Sequence, residues 1–288
     1  MARNTMYPIL GGWQGLECGR KADSVGVCGG LKIGQGRVGY SFGTNGTQTK
    51  WLVFAPKGAL FRTLRVTLTH HSNAIEGLSL QLGETKQLLE KGLTAPNKPL
   101  HEQLVILGFA NAYDLVVREA SNKDTLLTTD FIKDLHYLLF KMALDITPQF
   151  VSVPIGTYRT AEVSIAGAKF NTTPPHLVSQ KLENLLFQHP SNALNLAKIA
   201  MFHAEYERIH PFIDGNGRTG RLIMAFQAIQ NNLTPPLIMD NQRNEYLSLL
   251  ENCQTDSDYV SFVHFLERCQ EQSLEHVKQN TLSHKYRL

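Results

Sequence analysis

His210-Pro211-Phe212-Ile213-Asp214-Gly215-Asn216-Gly217-Arg218-Thr219-Gly220-Arg221 runs directly into Leu222-Ile223-Met224-Ala225-Phe226-Gln227-Ala228-Ile229. The second stretch is apolar on every side of a helix, as in a helix buried inside a domain. The first stretch therefore places Gly215-Asn216-Gly217 at a helix N-terminus, where free N–H groups and the helix dipole favour an anion. Arg218 and Arg221, spaced i and i+3, project from one face of the first turn. Two planar guanidinium groups beside an N–H nest suit a polyphosphate. Asp214 is a candidate ligand for the Mg²⁺ that accompanies such phosphates. His210 is a candidate base for an attacking hydroxyl. Taken singly, an Asn-Gly turn, a histidine or a solvated arginine is ordinary. The order and the spacing carry the reading.

Outward from this segment, the 288 residues with 42% hydrophobic content suit one main globular domain with an appendage. The net charge is +3 but uneven: residues 1–75 hold nine Lys/Arg against two Asp/Glu, a local charge of +7, which leaves −4 for the remainder. A basic arm of this kind can meet nucleic acid or an anionic membrane, but no groove-reading motif accompanies it. Nucleic acid is therefore not an expected partner. No apolar run approaches membrane-spanning length, so a cytoplasmic protein without a membrane partner is expected. Cys18, Cys28, Cys253 and Cys269 have no metal-ligand spacing; Cys253 and Cys269 fall on apolar helix positions and read as core residues.

Residues 1–50 contain twelve of the 22 glycines, and the change in composition sets a boundary near Trp51. The division expected is a glycine-rich arm of unassigned fold at 1–50, a segment at 51–95, a core domain at 96–272 and a tail at 273–288. The arm reads as poor in strands. Its Gly34-Gln35-Gly36-Arg37-Val38-Gly39 matches a dinucleotide-binding glycine pattern, but neither a following helix nor an acidic residue about 20 positions on supports it. From Leu60, the residues Leu60, Leu64, Leu68, His71 and Ile75 form one helical stripe that stops at Gly77, with a strand over 63–69 as the alternative. Further helices are expected near 100–119, 129–145, 177–188, 194–209, 217–231, 241–253 and 258–278, the second capped by Thr128 or Thr129. Val163-Ser164-Ile165 and Lys169-Phe170 around Ala166-Gly167 read as a short hairpin. The fold class expected is all-α with this one small β-hairpin flap.

The motif fits His-x-Phe-x-(Asp/Glu)-Gly-Asn-Gly-Arg-x-x-Arg at all its fixed positions, and so resembles the Fic family, whose best-known members transfer AMP from ATP to protein hydroxyls. Ser72-Asn73-Ala74-Ile75-Glu76-Gly77 resembles the (Ser/Thr)-x-x-x-Glu-(Gly/Asn) inhibitory helix of the class in which that helix precedes the core. The resemblance implies Ser72 and Glu76 as inhibitory residues, with Glu76 paired to Arg221. It implies Gly215, Asn216, Gly217, Arg218 and Arg221 as phosphate contacts and Gly156-Thr157-Tyr158-Arg159-Thr160 with the hairpin as the flap. Ile165, Ala166 and Tyr246 then line the adenosine pocket, though Gln254 stands where relatives often have Asn. ATP and Mg²⁺ follow as the cofactors. A partner protein's hydroxyl side chain laid along the flap, or the chain itself, is the acceptor, and a homodimer is expected. Removal of AMP at the same site and nucleotide sensing without catalysis are the alternatives. The kinase-like relatives carry Lys where this chain has Gly217.

Overall fold

The computed structural model describes residues 29–34, 37–42, 50–151, 153–165 and 169–285. Three strands come first: β1 (Gly29–Gly34), β2 (Arg37–Phe42) and β3 (Lys50–Pro56), paired antiparallel in that order. This corrects the strand-poor reading of the arm. Alternation such as Val38-Gly39-Tyr40-Ser41-Phe42 was masked by the glycine count. β3 runs across the position expected for a boundary near Trp51 and pairs Trp51 with Ser41. Gly34 pairs with Arg37, so the ends of β1 and β2 that carry the rejected glycine pattern are paired strand.

Nine helices follow among the described residues: α1 (Lys57–Ile75), α2 (Leu82–Lys91), α3 (Leu100–Ala120), α4 (Thr129–Ile146), α5 (Val178–Gln188), α6 (Leu196–Ile209), α7 (Asn216–Gln230), α8 (Arg243–Thr255) and α9 (Tyr259–Lys285). The stripe from Leu60 to Ile75 is buried on α1, so the β-branched content of 63–69 yields to a helical apolar face packed on α3. Thr128 caps α4, its hydroxyl accepting from the Phe131 N–H at 3.1 Å, and Asn195 caps α6 in the same way at 2.9 Å. Helix α2 was not expected. Its apolar side is short, Thr85 and Leu88, and its ends are set by the Gln81 N–H donating to Glu84 and by left-handed Gly92. The expected hairpin is not found. Residues 162–165 and 169–170 carry no strand, and Ala166 and Gly167 lie outside the described residues.

Helix α7 is the axis of the domain. All its residues except Gly217 are buried, with α3, α4 and α6 packed around it. Phe109, Leu139, Phe202 and Phe226 belong to the main apolar cluster on these helices. A second cluster joins Ile75, Met224, Tyr246, Phe262 and Phe265 from α1, α7, α8 and α9. Helices α3 and α4 cross so closely at Gly108 that a Cβ there would run into the Leu138 and Leu139 carbonyls. This packing puts the polar first turn of α7 at the floor of a cleft rather than on an open surface.

Candidate active site

The turn before α7 is fixed from inside. Gly215 has φ 80° and the Phe140 ring fills the space beside its Cα, so only glycine fits. The Asn216 side chain is committed to the loop: its Oδ1 accepts from the Phe212 N–H at 2.8 Å and its Nδ2 donates to the Phe212 carbonyl at 2.9 Å. Its contribution to an anion is then its backbone N–H, which with those of Gly217 and Arg218 has no acceptor inside the helix. His136 supports the same turn from α4. Its Nδ1 accepts from the Gly156 N–H at 2.9 Å, so its Nε2 carries the proton and donates to the Asp214 carbonyl at 3.0 Å. Its ring stacks on Phe212 at 3.8 Å.

His210 ends α6 with φ 52°. Few non-glycine residues hold this conformation, and here three contacts enforce it. Its N–H donates to the Tyr206 carbonyl at 3.0 Å, its carbonyl accepts from Arg159 Nε at 2.7 Å, and its Nδ1 donates to the Glu207 carbonyl at 3.2 Å. The lone pair is thereby left on Nε2. Burial lowers the His210 pKa, so the ring is neutral near pH 7. Buried Arg159 also donates to the carbonyls of Ala161 and Thr173 and receives the loop through its own N–H on Pro211. It thus ties the flap region to the histidine. His136 and Arg159 are 74 and 51 positions from His210 in the chain, and nothing local in the sequence marks their roles.

The C-terminal end of α1 lies across this nest. Helix α1 ends in a Schellman turn: left-handed Gly77 donates to the Ala74 carbonyl at 2.9 Å, and Leu78 donates to that of Asn73 at 3.2 Å. Glu76 is the last residue before the turn. Its Oε1 accepts from Arg221 Nη2 at 2.6 Å and lies so close to Gly217 that a Cβ on that residue would clash with it. Arg221 is further held by the Ser72 hydroxyl and the Ser72 carbonyl, each at 2.8 Å. Burial alone would raise the Glu76 pKa, but Arg221 and Arg218 outweigh it and the net direction is down. A carboxylate at the C-terminus of α1 opposes that helix's dipole, whereas at the N-terminus of α7 it is favoured. Arg243 donates to the Ile75 carbonyl at 2.8 Å and closes the same helix end.

A cleft of ≈ 460 Å³ brings Glu76, Ile165, His210, Gly217, Arg221 and Tyr246 together, and adds Phe170, Glu207, Arg243 and Leu247. Tyr246 lies deeper than expected, with its ring 5.9 Å below the Arg221 guanidinium and its hydroxyl 2.7 Å from His203 Nε2. Gln254 spends its amide on the Ala204 carbonyl at 3.0 Å. Asp214 faces a neighbouring cavity with Arg218, and the pair meets at 3.0 Å. Arg218 Nε is buried and has no acceptor among the described residues. Glu207, unmarked in the sequence, is buried against Gly220. Burial pushes its carboxyl up to about 8, so it is protonated at neutral pH.

These buried groups set an acid response. Burial pushes His70 and His136 down to about 4 and His203 to about 3, from an unfolded value of 6.5. The unfolded chain therefore takes up protons that the native chain refuses, and these three groups lose stability as pH falls below 6.5. Glu207, raised from 4.5, acts in the opposite sense over the same window. Between pH 6.5 and 5.5 each histidine costs about 1 kcal/mol and Glu207 returns about 1.4 kcal/mol, a net loss of roughly 1–2 kcal/mol. Thermal midpoints at pH 7.5, 6.5 and 5.5 should fall, and Glu207→Gln should steepen the fall. A flat profile in both would contradict these assignments.

With the geometry in place, the comparisons are specific. Residues 126–228 match the Fic/DOC family. The chain is 28% identical over 214 residues to Protein adenylyltransferase Fic of Nematostella vectensis, covering 72% of this chain and 47% of that protein. It is 31% identical over 212 residues to the protein of the same name from Drosophila grimshawi, covering 72% and 41%. A Fic domain containing signaling protein from Bacteroides thetaiotaomicron superposes with a TM-score of 0.68 at 26% identity, covering 77% of this chain and 89% of that one. Fic-1 of C. elegans superposes at 0.65 and 23% identity, over 83% and 69%, a likeness of fold. The chain carries a Fic/DOC family domain. It spans less than half the length of the curated relatives it matches. Among the described residues no helix is long and apolar enough to cross a membrane.

Proposed function

We propose that this chain is a protein adenylyltransferase that moves AMP from ATP to a Ser, Thr or Tyr hydroxyl of a partner protein or of itself, and that Glu76 holds it closed. The carrying observation is the Glu76 carboxylate on Arg221 at 2.6 Å, seated against Gly217 in the anion nest of α7. A phosphate-binding helix start is filled by the chain's own anion. The relatives named for adenylyl transfer supply the reaction class.

In this reading the N–H groups of Asn216, Gly217 and Arg218 receive phosphate oxygens, and Arg221 balances the charge of the leaving pyrophosphate. Arg218 Nε, buried without an acceptor, fits a missing oxygen ligand. Ile165, with Tyr246 behind Arg221, walls the nucleoside; Ala166, given the same role by the resemblance, lies outside the described residues. His210 Nε2 takes the acceptor's proton, while Arg159 and Glu207 hold the ring in place. A partner segment aligned along the described flap residues 156–165 presents that acceptor by backbone pairing.

Asp214 fits a hard cation. It is an oxygen donor, half-exposed beside the nest, and Mg²⁺ commonly takes one carboxylate with substrate phosphates and water. Mg²⁺ bound there would neutralise phosphate charge. Asp214 now accepts from Arg218 and from the Gly215 N–H at 2.6 Å, so it also holds the turn. Asp214→Ala should leave only residual labelling that no longer rises with added Mg²⁺. Full labelling by this variant in the presence of a chelator would contradict the assignment.

Incubation of the wild type and Glu76→Gly with ATP labelled at the α- or the γ-phosphate tests the whole reading. Transfer of α-label alone is expected. Transfer of γ-label would mean phosphorylation. No transfer by a variant that binds ATP, or release of AMP from a premodified protein, would replace the proposal with nucleotide sensing or with AMP removal.

A further inference from the structure

His70 and His71 directly precede Ser72 on α1. Both are buried, and both face Asp240 in the short turn that leads into α8. One donor atom from each of the three residues lies within 4.8 Å of the others. His71 Nδ1 is 3.0 Å from Asp240 Oδ1, and the Asp240 N–H points at that same nitrogen from 3.4 Å. These two contacts ask for opposite states of one atom. A protonated Nδ1 suits the carboxylate but repels the N–H. A lone pair on Nδ1 suits the N–H but then faces a carboxylate oxygen. A cation between Nδ1 and Oδ1 would take that lone pair and offset the carboxylate charge, giving up the long Asp240 N–H contact.

The surroundings fit a metal as well. His70 Nδ1 meets the buried Thr85 hydroxyl of α2 at 3.4 Å, which leaves its Nε2 for coordination. An outer partner on the second ring nitrogen is the usual companion of a ligating imidazole. A tetrahedron with bonds of ~2.0 Å has edges of roughly 3.3 Å. The His71–Asp240 separation is close to that already, and Asp240 is exposed enough to swing and close the widest gap.

We propose that His70, His71 and Asp240 form a site for a borderline divalent transition-metal ion, with Zn²⁺ the best chemical match, that fastens the Glu76-bearing end of α1 to the turn before α8. Two imidazoles, one carboxylate and an open fourth position suit Zn²⁺ or Co²⁺, whereas Mg²⁺ prefers an all-oxygen shell. The site is separate from Asp214. Its leverage is structural. Ser72, the next residue after His71, grips Arg221 twice, and Arg243, just after the turn, grips the Ile75 carbonyl. An ion here would favour the state in which Glu76 fills the nest.

The test uses the full chain, stripped of metal and titrated with Co²⁺, whose visible bands report a tetrahedral site, followed by Zn²⁺ competition. One equivalent should bind, with micromolar or tighter affinity and no displacement by millimolar Mg²⁺. Asp240→Asn, a change at an exposed group that spares the fold, should weaken binding at least about tenfold, and His71→Gln likewise. Asp214→Asn should not alter it. Hydrogen exchange over residues 70–78 should slow with Zn²⁺ in the wild type and not in Asp240→Asn. Absence of a stoichiometric Co²⁺ spectrum, or equal binding by Asp240→Asn and His71→Gln, would overturn the site. The regulatory consequence rests on the proposed activity: Zn²⁺ should lower self-labelling of the wild type but not of Asp240→Asn. Equal inhibition of both would overturn the lock. If the protein labels nothing, the metal titration and the exchange data decide the site by themselves.

Discussion

Glu76→Gly is expected to raise self-labelling by on the order of 10²-fold. A gain is a demanding outcome, because most substitutions lower activity or leave it unchanged. The physical cause is competition for one guanidinium and one nest. In the closed state Glu76 Oε1 holds Arg221 Nη2 at 2.6 Å and covers Gly217. A γ-phosphate cannot share that fork, and a carboxylate beside Gly217 repels the whole chain of phosphates. ATP can enter only with its α-phosphorus misaligned, and a misplacement of about 1 Å costs on the order of 10²-fold. Removing the carboxylate leaves Arg221 oriented, because both Ser72 contacts remain. Glu76→Gln should activate less, since an amide keeps a neutral acceptor at the same place. Arg221→Ala should be inactive even together with Glu76→Gly.

The same variant should be less stable without ligand, because a buried guanidinium loses its counter-charge. The loss is at most a few kcal/mol, since Glu76 is about one-third exposed. ATP should raise its melting temperature more than that of the wild type, because phosphate restores the missing anion. If both Glu76 variants bind ATP normally and label no better than wild type, the inhibitory role is wrong.

What the sequence discloses here follows from distance along the chain. The anion nest is legible because Gly215, Asn216, Gly217, Arg218 and Arg221 lie close together in the chain, and a helix start has fixed geometry. The pairing of Glu76 with Arg221 spans 145 positions and became legible only through resemblance to a family motif. His136 and Glu207 were not found, and Arg159 was read only as part of the flap, not as a tie to His210. Each acts through the backbone or a buried face, and a lone histidine or arginine carries no spacing that announces such a role. The strands of 29–56 were hidden for another reason. Glycine-rich composition argued for coil, while alternation and cross-strand pairing decided otherwise. Asn216 shows the converse. Its position is motif-perfect, yet its amide serves the Phe212 backbone, leaving only its N–H for a phosphate.

His210→Ala is expected to keep ATP binding within a few-fold and to lose transfer by about 10²–10⁴-fold, the usual worth of a positioned base. The measurement belongs in the Glu76→Gly background, where the signal is large. Binding should survive because the nest is built from α7 N–H groups and Arg221, and none of the contacts that shape it uses the imidazole. Transfer should fail because the lone pair on Nε2 is lost. That lone pair exists because Nδ1 donates to the Glu207 carbonyl and because burial holds the ring neutral. A control for the backbone is needed, since residue 210 sits at φ 52° and alanine is strained there. His210→Asn answers it. Asparagine accepts this conformation readily but is no base near pH 7, so it should be as inactive as alanine while melting closer to the parent. The pH profile gives an independent reading. A base must be neutral to act, and a lowered pKa moves the acid limb of the rate below the value of an exposed histidine. Activity should therefore persist under mild acid, up to the point where the fold itself weakens. If His210→Asn retained a tenth or more of the parent rate with a normal fold, proton removal would not depend on His210. The attacking hydroxyl would then lose its proton directly to solvent or to the substrate phosphates.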